Sequence, residues 1–351
     1  FRDWVRHAQR DEYWQKADGE QRAARLQVPT LLMAGWYDPF LPSQLADYKT
    51  IQSAAPARTA YTSRLIIGPW SHAGTMRMPD GYTDAHYRLA SLKPALDWYD
   101  HHLLHRSLHP FAPVRLFIGG INRWRDEQEW PLKRTRPTPI YLSSGGHANG
   151  AAGDGGLSLS PELPASADHY RHDPENPVPS LGGAILLAER SGPWAQNPVE
   201  ARPDVLVYSS QPLPRNLELI GELKARLSVA SSAPSTDFVV KLVDVHPDGQ
   251  AYGISQGILR RRYQPGRLEP ITVELWPLGH VFLKGHRLRV EVASSHFPMF
   301  DVNPNTGEDS SQATTTRIAD QTLYTGAGQL SQLILPVIPE ANTLPCSAAW
   351  C

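Results

Sequence analysis

Two short apolar runs near the start of the chain stand out from the charged sequence around them. Thr30–Ala34 and Leu65–Ile67 are each bounded by Pro or Gly and lack helical spacing, which is how strands buried on both faces of a parallel sheet read. Each run leads into a glycine, an aromatic and then one ionisable side chain, Asp38 after the first and His72 after the second. Between them, Pro42 to Ala55 carries Leu45, Tyr48, Lys49 and Gln52 at helical spacing with Pro56 as a stop, and predicts a helix. A second helix is predicted from about Asp84 to His105, with Leu89, Leu92, Leu96, Tyr99 and Leu103 on its apolar face and Pro94 inside it. Strand, helix, strand, helix is the closing half of an α/β unit. Residues 1–27, with Trp4, Tyr13 and Trp14 among many charges, suit helix and irregular surface packed on a neighbour.

From Pro110 the texture changes. Val114–Ile118, Pro139–Leu142, Val205–Ser209, Leu223–Ala230, Thr236–Val245, Ile271–Leu275, Arg287–Ala293 and Ser331–Val337 are short apolar runs separated by Gly, Pro, Asn and Asp. Arg287 to Val292 alternates charged with apolar residues, the period-2 signature of a strand with one wet face. Such a succession, with no convincing helix between the strands, predicts a β-sandwich, most simply a jelly roll. The Gly-, Ala- and Ser-rich stretch Gly145–Gly156 reads as a flexible loop or linker. The fold class is therefore α/β plus all-β: part of an α/β domain over residues 1–109, a β-sandwich over 110–340, and a disordered tail over 341–351.

Composition narrows the functional classes. At 351 residues the chain exceeds what one core usually holds. Lys+Arg 34 against Asp+Glu 35 gives a formal net charge of -1 and no electrostatic reason to invoke nucleic acid. No segment approaches the roughly 18 apolar residues that span a bilayer. The only cysteines, Cys346 and Cys351, lie at the very end, where they cannot staple a core, so nothing asks for an oxidising compartment. Localisation stays open, with the cytoplasm slightly favoured. Phe1 is not a methionine and no leader comes after it, so the chain reads as opening partway through something.

In open α/β sheets the chemistry sits beyond the carboxyl ends of the strands. Asp38 and His72 are thus candidates for the acid–base pair of a nucleophilic hydrolase, Asp38 orienting the imidazole and His72 moving the proton. The plainer alternative has Asp38 capping the next helix and His72 sitting in a loop. The nucleophile is the difficulty. A serine elbow reads G-x-S-x-G and precedes the acid and the histidine. The one match, Gly253-Ile-Ser-Gln-Gly257, comes after His72 and is flanked by strand-like sequence, so it reads as a turn or strand edge of the sandwich. The nucleophile is expected upstream of Phe1.

Several stretches, in one order along the chain, resemble the CocE/NonD family, which includes cocaine esterase, the α-amino-acid ester hydrolases and the X-prolyl dipeptidyl-peptidases. Gly35-Trp-Tyr-Asp-Pro-Phe40 and Leu65-Ile-Ile-Gly-Pro-Trp-Ser-His72 are similar to its acid and histidine motifs. Ser232-Ala-Pro-Ser-Thr-Asp-Phe238, Lys241-Leu-Val-Asp-Val-His-Pro-Asp-Gly249, Gly257-Ile-Leu-Arg260, Leu283-Lys-Gly-His-Arg-Leu288 and Ser294-Ser-His-Phe-Pro298 resemble its C-terminal jelly roll. The resemblance covers about residues 8 to 338. It implies the C-terminal half of an α/β-hydrolase fold followed by the jelly roll, and a serine hydrolase acting on esters or amides with Asp38 and His72 in its triad. Phe40 would face the acyl pocket, or serve only as a core aromatic at a helix entrance. The implied partner is a small ester, amide or peptide substrate, with no nucleic acid, no membrane and no cofactor; a homo-oligomer stays open. Without nucleophile and oxyanion donors, the segment alone is expected to be inactive and to leave one edge of a parallel sheet bare.

Two other constellations invite a metal reading. His101, His105 and His109 recur at four-residue spacing, with His102 beside them, but no carboxylate ligand or H-E-x-x-H base accompanies them and Pro110 ends the helix. Asp301-Val-Asn-Pro-Asn-Thr-Gly-Glu-Asp309 has its glycine one place late for a calcium loop, and Gln312 stands where a bidentate Glu belongs, so a polar turn is the better reading. The competing reading for the whole chain is a carbohydrate- or peptide-binding jelly roll with a merely structural α/β remnant. The Asp38–His72 distance discriminates between the two.

Overall fold

The computed structural model of the chain describes residues 2–7, 10–72, 76–83, 87–106, 112–186 and 190–339. The tail expected to be disordered, and both cysteines with it, lie outside these residues. Three short helices, α1 (Arg2–Arg6), α2 (Glu12–Gln15) and α3 (Glu20–Ala23), lead into the first sheet. That sheet is built from β1 (Leu31–Tyr37), β2 (Arg64–Ser71), β3 (Val114–Ile118) and β4 (Arg123–Glu127) in the order β1-β2-β3-β4. β1, β2 and β3 run parallel, and β4 turns back antiparallel on β3.

Helices α4 (Leu41–Ala54) and α5 (Ala57–Thr62) join β1 to β2, and α6 (Tyr87–Leu104) lies between β2 and β3. α4 forms because Leu41, Leu45, Tyr48 and Ile51 recur every three or four residues and make one buried stripe against the sheet, while Pro42 near its start costs no helical hydrogen bond. Both predicted helices are present, within a residue of the expected bounds for α4; residues 84–86 of the second lie outside the described set.

Val114–Ile118 corrects an expectation. It is not the first strand of the sandwich; it pairs in parallel with β2, Leu65 opposite Val114 and Ile67 opposite Leu116. A five-residue apolar run buried at Val114, Leu116, Phe117 and Ile118 fits either sheet equally well, and only the choice of partner strand decides which it joins.

The remaining strands are β5 (Arg136–Ser143), β6 (Gly156–Ser158), β7 (Ser166–His172), β8 (Leu206–Ser209), β9 (Leu217–Ser231), β10 (Ser235–Val245), β11 (Ala251–Arg262), β12 (Glu269–Phe282), β13 (Arg287–Ala293), β14 (Ala319–Thr325) and β15 (Gln332–Val337). A four-residue helix, α7 (Asn197–Glu200), precedes β8. Hydrogen bonding runs β11-β10-β13-β8-β6-β5-β15-β9-β14-β7, with β12 on β9. Apart from the short parallel contact of β6 with β8, these pairs are antiparallel. This is the β-sandwich expected. Its core is filled from alternate positions of the long strands, among them Leu219, Leu223, Ala225, Leu227 and Val229 of β9 and Ile271, Val273 and Leu275 of β12. The stretch Gly145–Gly156 is tied down more than a linker would be. The Asp154 carboxylate accepts from the backbone of Gly145 and His147, Asp168 accepts from Ala148 N–H at 2.9 Å, and Ala148 is fully buried.

The two sheets share one hydrophobic cluster. Trp36, Tyr37 and Ile118 from the first pack with Ile220 and Val281 from the second, flanked by Trp276 and Leu283. Polar contacts stitch the same seam: Gly119 N–H donates to the Gly279 carbonyl at 3.0 Å and Val281 N–H to the Gly119 carbonyl at 2.9 Å, while within the first sheet the Trp36 indole donates to the Phe117 carbonyl at 2.6 Å. Gly279 is small because the Trp36 ring lies against it; a Cβ there would stand 2.6 Å from that ring. Gly279→Ala is therefore expected to cost about 1–3 kcal/mol in overpacking, read as a lowered urea midpoint with little change in slope.

A second prediction concerns acid. His172, at the end of β7, is almost fully buried, and burial lowers its pKa from 6.5 to about 4 although Asp204 pulls the other way. Below pH 6.5 the unfolded chain takes up a proton that the folded chain refuses until about pH 4. Stability from this group therefore falls as pH drops through that window, by on the order of 1 kcal/mol per pH unit. His172→Leu is expected to flatten the pH dependence of Tm between those limits. An unchanged profile would place the acid sensitivity elsewhere.

Candidate active site

The first two strands do not run in simple register. Gly35 lies opposite Gly68, but two residues later Tyr37 lies opposite Ser71, so β2 carries one extra residue between Gly68 and Ser71. Regular pairing would have set Asp38 beside Ser71. The extra residue brings His72 alongside Asp38 instead. Glycines make this possible, because Trp70 folds back over both strands. A Cβ on Gly35 would meet the Trp70 carbonyl oxygen at 1.9 Å, and one on Gly68 would meet the Trp70 ring at 2.3 Å. Trp70 itself is buried against Trp124 of β4, with ring centroids 5.6 Å apart.

The two side chains meet beyond the strand ends. His72 Nδ1 and Asp38 Oδ2 are 3.2 Å apart, with the Asp38 side chain 14% exposed and the His72 side chain 46%. The other carboxylate oxygen, Oδ1, accepts from Phe40 N–H at 2.8 Å and so shapes the turn into α4. The capping role and the histidine contact thus fall on different oxygens of one carboxylate. The Asp38 backbone carbonyl accepts from the Trp276 indole at 3.3 Å and from Leu41 N–H at 3.1 Å, which ties the acid loop to both sheets. Trp276 reaches it because β12 slips register between Leu275 and Leu278.

With Nδ1–H donated to a carboxylate, Nε2 keeps its lone pair and is free to take a proton. Among the described residues no hydroxyl or thiol makes a hydrogen bond to it. Phe40 stands edge-on to the His72 ring at a centroid distance of 5.0 Å and is 54% exposed. It is not a core aromatic. Its exposed ring stands beside the imidazole.

The other sequence candidates do not join this site. Ser255, the serine of the G-x-S-x-G match, lies inside strand β11, buried, with its hydroxyl donated to the Trp276 carbonyl at 2.6 Å. Gly253–Gly257 is thus a strand segment of the sandwich. α6 ends at Leu104, and His105 has left the helix with φ 55, so the helical spacing of His101 and His105 breaks; His109 lies outside the described residues. Asp301 is taken by Arg260, whose guanidinium also holds Asp237. A group that the sequence pattern does not single out is Asp244 with His280 and His286, a carboxylate receiving two imidazoles at 2.9 and 2.8 Å. The signal present in the chain is D-V-H at 244–246 and the histidines at 280 and 286, of which 244, 246 and 286 fall within stretches that resemble the family's jelly roll.

Comparison with known proteins agrees with this architecture. Residues 109–334 match the model of the X-Pro dipeptidyl-peptidase C-terminal non-catalytic domain, and residues 1–74 match that of the X-Pro dipeptidyl-peptidase S15 family. The chain belongs to the CocE/NonD family. Cocaine esterase of Rhodococcus sp. (strain MB1 Bresler) is 38% identical over 95% of this chain and 60% of its own length. Among solved structures, an aminopeptidase from a marine sediment Thaumarchaeota archaeon superposes with a TM-score of 0.84 at 24% identity, covering 96% of this chain and 60% of that one. An α-amino-acid ester hydrolase does so with a TM-score of 0.82 at 24% identity and the same coverage; these two likenesses speak to fold. The chain spans 60% of the length of each of the three proteins.

The two roles of the Asp38 carboxylate are separable. Asp38→Ala removes the acceptor of Phe40 N–H and is expected to cost about 1 kcal/mol of stability, as loss of a helix-entry acceptor does. Asp38→Asn retains an oxygen there and is expected to melt at nearly the temperature of the parent. Equal losses for both variants would show that the turn does not depend on Oδ1.

Proposed function

We propose that this CocE/NonD chain supplies the acid and the base of a serine hydrolase that cleaves ester or amide bonds, X-Pro amides included, through an acyl-enzyme. The observation that carries the reading is the 3.2 Å approach of Asp38 Oδ2 to His72 Nδ1 at the ends of adjacent parallel strands. His72 Nε2 takes the proton of a serine hydroxyl as its oxygen attacks the carbonyl carbon, then returns it to the departing alkoxide or amine. Water repeats the cycle against the acyl-enzyme. Asp38 holds the productive tautomer and supports the imidazolium while it exists. The serine and the oxyanion donors come from a segment of the whole protein outside these residues, consistent with relatives longer than this chain. Phe40 borders the acyl pocket, its exposed ring standing beside the imidazole.

The same reading divides the chain into an α/β-hydrolase part over about residues 1–109 and a jelly roll over about 110–340, with the β3–β4 hairpin as the strap by which the second grips the first. A binding module with an idle α/β remnant gives no reason for a carboxylate to meet an imidazole here, so the Asp38–His72 geometry favours the hydrolase.

The test is to express this chain together with the coding sequence contiguous with it and to assay p-nitrophenyl esters and X-Pro p-nitroanilides. His72→Ala and Asp38→Asn are each expected to lower kcat by about 10⁴-fold with KM little changed, while the 351-residue chain alone shows no turnover. Activity indifferent to His72 would sink the assignment and leave the jelly roll as the functional part.

A further inference from the structure

At the seam between the two sheets, a second cluster gathers around Asp244 of β10. Asp244 and His246 are two apart and project from the same face of the chain, while His286 immediately precedes β13, whose Arg287 pairs with Val245. His286 Nδ1 donates to Asp244 Oδ1 at 2.8 Å, and His280 Nε2, from β12, donates to Oδ2 at 2.9 Å. His246 Nε2 stands 4.0 Å from the same Oδ2. One carboxylate thus has three imidazoles directed at it from three strand regions, and Asp244, His280 and His286 are all buried.

Two observations set this cluster apart from an ordinary buried hydrogen-bond network. The first is that the His246 ring makes no hydrogen bond to any described residue, although it lies 4.4 Å from the His286 ring and 4.8 Å from Tyr252, centroid to centroid. A half-buried imidazole placed beside another imidazole and aimed at a carboxylate, without a proton shared to either, is a donor waiting for an acceptor of lone pairs. The second is space. The cluster lines a cavity of about 220 Å³ to which Tyr37 and Met78 of the α/β part also contribute, which leaves room for a further small ligand.

One donor atom from each of Asp244, His246 and His286 lies within 4.8 Å of the other two. Two imidazole nitrogens and one carboxylate oxygen are the donor set of a three-ligand zinc centre that keeps a fourth position open. Donors in such a centre stand about 3.3 Å apart at metal–ligand lengths of about 2.0–2.1 Å, and rotation of the unbonded His246 ring closes the difference. His280 then keeps its hydrogen bond to the remaining carboxylate oxygen and orients Asp244, as outer partners of metal ligands do.

We propose that Asp244, His246 and His286 form a binding site for a divalent transition metal of the Zn²⁺ type at the seam between the two sheets, with His280 orienting the carboxylate and the cavity supplying the open coordination position. Entry of the ion replaces the His286 Nδ1–H to Asp244 hydrogen bond. The ring proton moves to Nε2, so the imidazole stays neutral and nothing is oxidised or reduced.

The experiment uses the full chain, stripped with a chelator and dialysed, and titrated calorimetrically with ZnCl2 alone. One saturable equivalent per chain is expected, with a raised Tm, and Co²⁺ in place of Zn²⁺ should give the intense visible bands of a four-coordinate N/O site. His246→Ala is expected to weaken Zn²⁺ binding by about 100-fold or more while leaving the metal-free Tm near that of the parent, because the ring makes no hydrogen bond. His246→Phe fills the same volume and serves if the alanine variant proves unstable. Absence of saturable binding would overturn the proposal. So would Zn²⁺ affinity unchanged in the His246 variants, which would place the ion on other histidines such as His101 and His102.

Discussion

The close approach of Trp70 to two glycines is the constraint on which the candidate site depends. Trp70 is folded back so tightly over β1 and β2 that no side chain fits at Gly35 or Gly68. The extra residue that this fold-back inserts into β2 sets His72 back by one place, so that it lies alongside Asp38. A sheet with simple pairing would offer the same two residue types one step out of line, and because side chains alternate faces along a strand, a one-residue slip changes which groups can meet. The local distortion is what brings Asp38 and His72 together at the two strand ends.

The second sheet completes that arrangement rather than merely lying beside it. Its Trp276, displaced by the register slip in β12, donates to the backbone carbonyl of Asp38. Gly279 admits the Trp36 ring, and the Gly119 backbone is paired with β12 on both its polar groups. The acid loop is therefore gripped from two directions: its carboxylate by Phe40 N–H and His72, its carbonyl by Leu41 N–H and Trp276. Such over-determination holds a side chain to one geometry. The imidazole, by contrast, is half exposed, with the Phe40 ring edge-on beside it.

Burial inside the sandwich obeys a different logic. Every residue of β10 is buried, including Asp237, Lys241 and Asp244, and each of these charges has a counterpart: Arg260, Glu291 and the two histidines. Unpaired, any of them would cost several kcal/mol. Paired, each is satisfied by a group from another strand of the sandwich or the residue before one.

The amino-acid pattern by itself determined the division into α/β and β parts, the helix α4, most long strands of the sandwich, and the pairing of Asp38 with His72 as candidates. It did so because apolar runs, Pro and Gly stops, and a charged residue at a strand end are local features of the chain. It did not determine which sheet takes Val114–Ile118, that Gly145–Gly156 is pinned through Asp154 and Asp168, that Phe40 is exposed, or that Asp244 gathers His280 and His286. Those depend on partners distant along the chain: the free edge of β2, the Trp70 fold-back, the slip in β12. Short apolar strands are interchangeable until a neighbour selects them, and a buried carboxylate declares its purpose only when the groups that face it are in place.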